Sequence, residues 1–367
     1  MPYAHALRAH GHEVLVAAPV DVSETLREAG LAHAPFDHPG DDVLAPIWAR
    51  LRHASVAEAS AIALGEIFAG LNARAALPRL IETIAAWRPD LIVRDSVEYG
   101  AAIAAQRAGV PHARVAVHMV SLEDGFPALV AGPLDQLRSS VGLAPQGAAF
   151  LSSEPVFSAF PASLDPPSPQ APRPAPFRVR VVDEAPRTAV TWGPAGDARP
   201  LVYLTFGTIA GSSPGVRSVY RTALEAIAGL PVRALLTTGR GLEAGTLGPI
   251  PANVHVEEWV PQRDVLAHAA ALVCHGGSGT VVGALGAGVP MVVVPLFADQ
   301  PHNADRVAAV GAGLALAGPD PAGLRTAVER VLAEPDFGRA ARRIAGEIAA
   351  LPPVDAAVAA LVVFASR

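Results

Sequence analysis

The stretch ALVCHGGSGTVVGALGAGVPMVVVPLF, residues 271–297, constrains the fold more than any other part of the chain. Its ends, ALVC and MVVVPLF, are apolar runs of strand length. A membrane span needs roughly 20 uninterrupted apolar residues, and His275, Pro290 and a series of glycines interrupt this one. Two buried strands joined by a helix that starts at a Gly-rich turn make a parallel unit with both sheet faces covered. The chain is therefore predicted to be α/β.

The same alternation extends in both directions. HEVLVAAP (12–19), LIVRD (91–95) and HARVAVH (112–118) have the pattern of buried strands, with helical stretches at 22–30 and 77–87. The span 36–75 is less regular and is a candidate pocket wall. Pro-rich sequence over 161–200 suits neither helix nor central strand. Beyond it LVYLTFGT (201–208), a helix near 216–228, ALLTTG (234–239), HVEEWV (255–260), ALVCHGG (271–277), a helix from 278 and MVVVPLF (291–297) form a second alternation. At roughly 100–200 residues per domain, 367 residues suit two domains. The division predicted is a Rossmann-like domain over 1–182, a linker over 183–199, a second Rossmann-like domain over 200–354, and a helix over 355–367.

Composition excludes several functions. All 28 basic residues are Arg, so neither a Walker A lysine nor a lysine Schiff base is available. A net charge of −6 with no basic cluster speaks against nucleic acid as a partner. The single cysteine, Cys274, permits no internal disulfide, and the start MPYAHALRAHGHEV lacks the pattern of a secretion signal, so a cytoplasmic location is expected. No Asp-x-Asp element and no His/Cys cluster with ligand spacing occurs, so no metal site is expected.

The 271–297 unit also carries chemistry. Its first strand ends at His275, and Gly277, Ser278, Gly279 and Thr280 open the following helix. Free N–H groups and the positive end of the dipole make such a helix start an anion site, and glycines let a diphosphate approach the backbone. His275 is placed to donate a hydrogen bond to a phosphate oxygen. Upstream, Trp259 and Val260 lead to Gln262. Trp259 offers a flat face for a base, and Gln262 can hydrogen-bond a ribose or base edge. Downstream, Asp299 and Gln300 follow a strand end, where ligands bind in open α/β sheets, and suit vicinal hydroxyls.

The order Trp-x-x-Gln, His-Gly-Gly-x-Gly-Thr, Pro-x-x-x-Asp-Gln-x-x-Asn resembles the donor signature of inverting, UDP-glycosyltransferase-like enzymes with the GT-B fold, and in particular bacterial macrolide and polyketide glycosyltransferases. The resemblance implies two Rossmann-like domains facing across a cleft, the first taking the acceptor and the second a nucleotide sugar, with no further cofactor. It implies that Trp259 stacks on the base, that Gln262 contacts the nucleoside, and that His275 with the backbone of Gly277–Thr280 holds the diphosphate. Gly207 and Thr208 would close over that diphosphate, and Asp299 and Gln300 would bind the sugar. Plant relatives carry a ribose-clamping Glu where this chain has Gly283, which favours a dTDP donor over UDP. The acceptor implied is a small natural-product aglycone, and a homodimer is compatible with all of this.

In that family a first strand precedes the first helix, and its loop supplies a His that deprotonates the acceptor. PYAHALRAHGHEVLVAAP resembles the end of that helix and the second strand. The strand and its loop are thus expected to be absent, leaving unpaired backbone groups and exposed apolar surface. Asp95 matches the partner of the absent His, with a helix cap as its alternative role, and His118 is the other candidate base. Such a chain would bind donor and turn over feebly. A degenerate homologue that binds nucleotide or a partner without catalysis is the alternative. An NAD-dependent oxidoreductase fits less well, because no acidic ribose ligand follows the glycines at about 20 residues; a nucleotide-sugar epimerase shares the fold.

Overall fold

The computed structural model describes residues 1–51, 54–167, 174–181, 197–207, 217–239 and 241–366. Thr208 and residues 183–196 of the expected linker lie outside them. The contacts divide the chain into two compact units. One comprises Met1–Ala159, Pro166–Val181 and Pro352–Arg367, the other Phe160–Asp165 and Val182–Leu351. Among the described residues no helix is long and apolar enough to cross a membrane.

The first unit contains β1 (Leu15–Pro19), β2 (Ala32–Phe36), β3 (Ile92–Asp95), β4 (His112–Val115), β5 (Val156–Ser158) and β6 (Phe177–Arg178). They do not form one sheet. β1 pairs in parallel with β2, and β3, β4, β5 and β6 form a separate parallel sheet in that order. Residues of β3 alternate between its faces. Leu91 and Val93 pack with Tyr3 and Leu361, from the helices Pro2–Ala9 and Val354–Ala365. Ile92 packs on the other face with Leu80 and Ile84 of the helix Ala73–Trp87. A cavity of about 1330 Å³ runs along both β1 and β3.

The irregular span 36–75 is largely helical, a correction to the sequence reading. Helices occupy Asp41–Leu51 and Val56–Ala61, and Ile62–Asn72 is a π-helix. The wider i→i+5 turn shifts each following side chain around the axis, which conceals the 3.6-residue period on which sequence reading depends. The strand windows were also too long. HEVLVAAP contributes only Leu15–Pro19, HARVAVH only His112–Val115, HVEEWV only Val254–Glu257, and MVVVPLF only Met291–Val293, ahead of Pro295. Trp259 consequently lies in a loop.

The second unit is one six-stranded parallel sheet of β7 (Leu201–Thr205), β8 (Arg233–Thr237), β9 (Val254–Glu257), β10 (Ala269–Cys274), β11 (Met291–Val293) and β12 (Gly313–Ala315). Their spatial order is β12-β11-β10-β7-β8-β9. Counted from β7, this is the doubly wound order 3-2-1-4-5-6, whose direction of winding reverses between β7 and β10. All five residues of β7 are buried, as a central strand covered on both faces requires.

Candidate functional site

The strand register determines which residues meet at the reversal point. Thr205 of β7 lies level with Thr237 of β8 on one side and Cys274 of β10 on the other. The Thr237 hydroxyl donates to Thr205 Oγ1 at 2.9 Å and lies 3.2 Å from the Tyr203 hydroxyl, forming a buried row beneath the strand ends. Each strand then turns sharply through a glycine with positive φ: Gly207 after β7, Gly239 after β8 and Gly276 after β10. Above the hydroxyl row lies a cavity of about 170 Å³, bounded by Gly207, Gly239, Glu258, Trp259, Gln262 and Thr280 among others. This is below the ~300–1,000 Å³ of drug-sized ligand sites and suits one ring system of a larger ligand. Val260 also lines it, and Trp259 is 63% exposed, with its indole face unclaimed by the core.

The helix Ser278–Gly286 begins beside that cavity. Its N-cap, Gly277, has no side chain, and no side-chain cap is present, so the first-turn amides remain open to an anion. His275 fills the space between two glycines. A Cβ on Gly207 would lie 2.9 Å from His275 Nε2, and one on Gly277 would lie 2.5 Å from it. A Cβ at either position would have to displace the imidazole from where it now lies, and Gly207 also holds a left-handed φ of 90° that favours glycine. Burial lowers the His275 pKa and outweighs the opposing pull of Asp299 and the Thr205 carbonyl, so the ring is neutral at neutral pH. A neutral imidazole retains one N–H, which with Nε2 protonated would be available to a phosphate oxygen.

Asp299 and Ser278 are joined directly, the Ser278 hydroxyl donating to Asp299 Oδ2 at 2.7 Å. The buried Asn303 secures this corner: its amide donates to the Gly276 carbonyl at 2.8 Å and to Asp299 Oδ2 at 2.7 Å. Gln300 is buried, and its side-chain oxygen accepts from the Leu296 and Phe297 amides at 2.8 and 3.0 Å. It therefore braces the turn that holds Ala298 at a left-handed φ of 57°, an uncommon conformation for a non-glycine residue. Gln262 donates to the Thr280 carbonyl at 3.3 Å, and a Cβ on Gly283 would lie 3.0 Å from its amide nitrogen. The space beside Gly283 is thus already taken by Gln262.

The second unit therefore brings Gly207, Trp259, Val260, Gln262 and Thr280 around one cavity, and places His275 and Ser278 on loops adjoining it. Gly279 is exposed in the first helical turn, and Asp299 and Gln300 follow β11. Sequence reasoning missed Tyr203, Thr205, Thr237 and Glu258. Thr205 and Thr237 end strands, Glu258 follows one and Tyr203 lies within β7, and only the strand order shows that β7 and β8 are neighbours at the reversal point.

In the first unit the candidates separate. Asp95 ends β3, exposed, and its Oδ1 accepts from the Val97 and Glu98 amides at 2.8 and 2.9 Å. It stabilises the turn, while Glu98 caps the helix Tyr99–Ala108. Burial, with Asp95 adding repulsion, pushes the Glu98 carboxyl up to about 7. Asp95 and Glu98 line the 1330 Å³ cavity. His118 does not. It stacks edge-on against Phe126 at 5.6 Å, with Nδ1 3.5 Å from Glu123 Oε1.

Behind these residues lies a buried ionic cluster. Arg94 and Arg114 are register partners on β3 and β4, so two like charges lie side by side. Glu154 neutralises them: both its oxygens accept from Arg94 Nη2 at 2.7 and 2.8 Å, with Arg114 Nε at 3.3 Å and His112 Nδ1 at 3.0 Å. Glu123 completes the cluster, pairing with Arg114 at 3.1 Å and accepting from the Ser96 hydroxyl.

A doubly wound domain with an open helix start, an exposed indole and glycines fitted around a histidine at its reversal point has the form of a nucleotide-sugar-binding domain. Comparison with known proteins agrees along the whole chain. Residues 5–126 match the family model described as "Erythromycin biosynthesis protein CIII-like, N-terminal domain", and residues 224–363 match its C-terminal domain counterpart. The L-demethylnoviosyl transferase of Streptomyces niveus is 32% identical over 360 residues, covering 96% of this chain and 90% of the relative. Among solved structures, the glycosyltransferase SnogD from Streptomyces nogalater superposes with a TM-score of 0.78 at 27% identity, covering 99% of this chain and 94% of that one. The glycosyltransferase VinC, solved in complex with dTDP, gives 0.77 at 26% identity, covering 100% and 95%. The chain belongs to the erythromycin biosynthesis protein CIII-like family, glycosyltransferases with the GT-B fold.

Proposed function

We propose that this glycosyltransferase moves a sugar from dTDP to a hydroxyl group of a small natural-product aglycone, inverting the anomeric carbon. The observation that carries this reading is the exposed Trp259 indole beside the uncapped start of the Ser278–Gly286 helix, a stacking surface next to an anion site. The base rests on Trp259, above the Tyr203, Thr205 and Thr237 hydroxyls. The diphosphate meets the amides of Ser278–Thr280 and the His275 ring. As the glycosidic bond breaks, negative charge develops on the departing diphosphate, and fixed N–H donors stabilise it without reorganisation. The sugar hydroxyls are assigned to the free lone pairs of Asp299 and to the Gln300 amide group. The acceptor proton is assigned to Asp95, whose exposed carboxylate ends β3, general-base catalysis contributing roughly 10²–10⁴-fold.

The preference for dTDP follows from Gly283. With no carboxylate at that position and Gln262 against it, a ribose 2′-hydroxyl gains no partner there. The thymine methyl group, in contrast, gains about 0.8 kcal/mol on burial, or roughly fourfold in affinity. Titration calorimetry with dTDP and UDP is therefore expected to show dTDP binding more tightly by about that factor. Product analysis with a dTDP-sugar and an aglycone is expected to show the opposite anomeric configuration to the donor. Tighter binding of UDP, or retention of configuration, would overturn the respective part.

A further inference from the structure

We propose that Asn303 is a positioning residue for sugar transfer, fixing one oxygen of the Asp299 carboxylate so that the other is turned to the donor's sugar. This rests on the reading that Asp299 binds the sugar, and adds what aims it there. Asp299 is the N-cap of the helix Gln300–Ala309, yet its side chain caps none of that helix's amides. Its main chain is held by the first helical turn, the Asn303 backbone N–H donating to the Asp299 carbonyl at 3.0 Å. That leaves the carboxylate free to turn about its own side-chain bonds. A group that must meet one hydroxyl needs a second constraint, since a misplacement of about 1 Å can cost about 10²-fold in rate.

Asn303 supplies that constraint. It lies one helical turn beyond Asp299, where side chains become neighbours, and it is completely buried. Its carboxamide nitrogen carries two hydrogens, and donates to Asp299 Oδ2 at 2.7 Å and to the Gly276 carbonyl at 2.8 Å. The Ser278 hydroxyl oxygen lies 3.2 Å from the same nitrogen, and its own hydrogen goes to Asp299 Oδ2 at 2.7 Å. Oδ2 thus accepts from two fixed donors. Oδ1 has no donor among the described residues, and Asp299 is only half-buried. The Asn303 amide fits one way round: turned over, its oxygen would face a carboxylate and a carbonyl, neither of which donates. In the orientation it takes, its Oδ1 is buried without a hydrogen-bond partner among the described residues, an arrangement that costs free energy. The unpaired carbonyl accompanies two donors that no apolar residue of the same size can provide.

The test is a double-mutant cycle read by titration calorimetry with two probes, dTDP and dTDP-glucose. Glucose is chosen because it keeps a hydroxyl on every ring carbon that can face Asp299. Asn303→Ala is expected to weaken dTDP-glucose about tenfold, the scale of one hydrogen bond to a charged group, while dTDP, which has no sugar, changes by less than about threefold. Asp299→Ala is expected to do the same. In the Asp299→Ala background, Asn303→Ala is expected to cost less than about twofold more, because the carboxylate it aims is gone. A merely structural loss would weaken both probes alike, or would add in full to the effect of Asp299→Ala, and either result would overturn the positioning role alone. If Asn303→Ala does not fold, Asn303→Ser, which keeps one donor, carries the same cycle with a smaller expected loss. Binding of dTDP-glucose that Asp299→Ala leaves unaltered would instead remove the sugar assignment itself, and this proposal with it.

Discussion

Replacing His275 with Ala is expected to lower kcat/KM for sugar transfer by about 10²–10³-fold, the range found when one preorganised donor is removed from a developing oxyanion. The imidazole is held between Gly207 and Gly277, so its ring is positioned before any ligand arrives. Burial keeps it neutral, and the variant loses a dipole rather than a charge. The effect should fall more on kcat than on KM, because phosphate charge grows as the glycosidic bond breaks. His275 lies at the strand end and is not fully buried, so the thermal midpoint should move little. Steady-state kinetics and a thermal melt on the same preparation check both points. Unaltered kcat, or an activity loss explained by unfolding, would remove His275 from the phosphate site.

The largest effect on stability is expected at Glu154. Glu154→Gln leaves Arg94 and Arg114 side by side in the first unit, with Glu123 as the carboxylate partner of Arg114 and none for Arg94 within the cluster. Removing one partner from a buried charged network costs about 3–5 kcal/mol, a large share of the 5–15 kcal/mol typical of a folded protein. The same cluster makes the protein sensitive to acid. Burial alone would raise the Glu154 carboxyl, but the His112 hydrogen bond and the charges of Arg94 and Arg114 outweigh it and hold the pKa below the usual 4.5. A depressed folded pKa contributes stability that is present above the unfolded value and lost as pH falls through the folded one. Urea unfolding at neutral pH should show the variant several kcal/mol weaker, with the difference narrowing below about pH 4. A variant as stable as the parent would mean that the two arginines find other partners.

What the sequence disclosed and what it withheld follow from the range of the interactions. The 271–297 unit was legible because its strands are continuous apolar runs and its turn is marked by glycines. Asp299 and Gln300 were legible because they follow a strand end within the same stretch. The short strands β2, β5, β6 and β12 were not, since AHAPF, VFS, FR and GLA carry no alternation or apolar run long enough to read. The π-helix Ile62–Asn72 concealed its own period. The ionic cluster was invisible for another reason. Arg94 and Glu154 are 60 residues apart, and nothing local to either shows that they meet. The hydroxyl row of Tyr203, Thr205 and Thr237 likewise depends on β7 and β8 being neighbours in register.

The central claim is that a nucleoside diphosphate lies with its phosphates on the start of the Ser278–Gly286 helix and its base on the Trp259 indole. The most direct measurement is backbone hydrogen exchange over 276–282 with and without dTDP, in the parent chain and in Trp259→Ala. Protection of that turn by dTDP in the parent is predicted, together with a loss of about 1–3 kcal/mol in dTDP affinity when the stacking surface is removed. Binding of dTDP that leaves 276–282 exchanging as before, or that is indifferent to the loss of the indole, would contradict it.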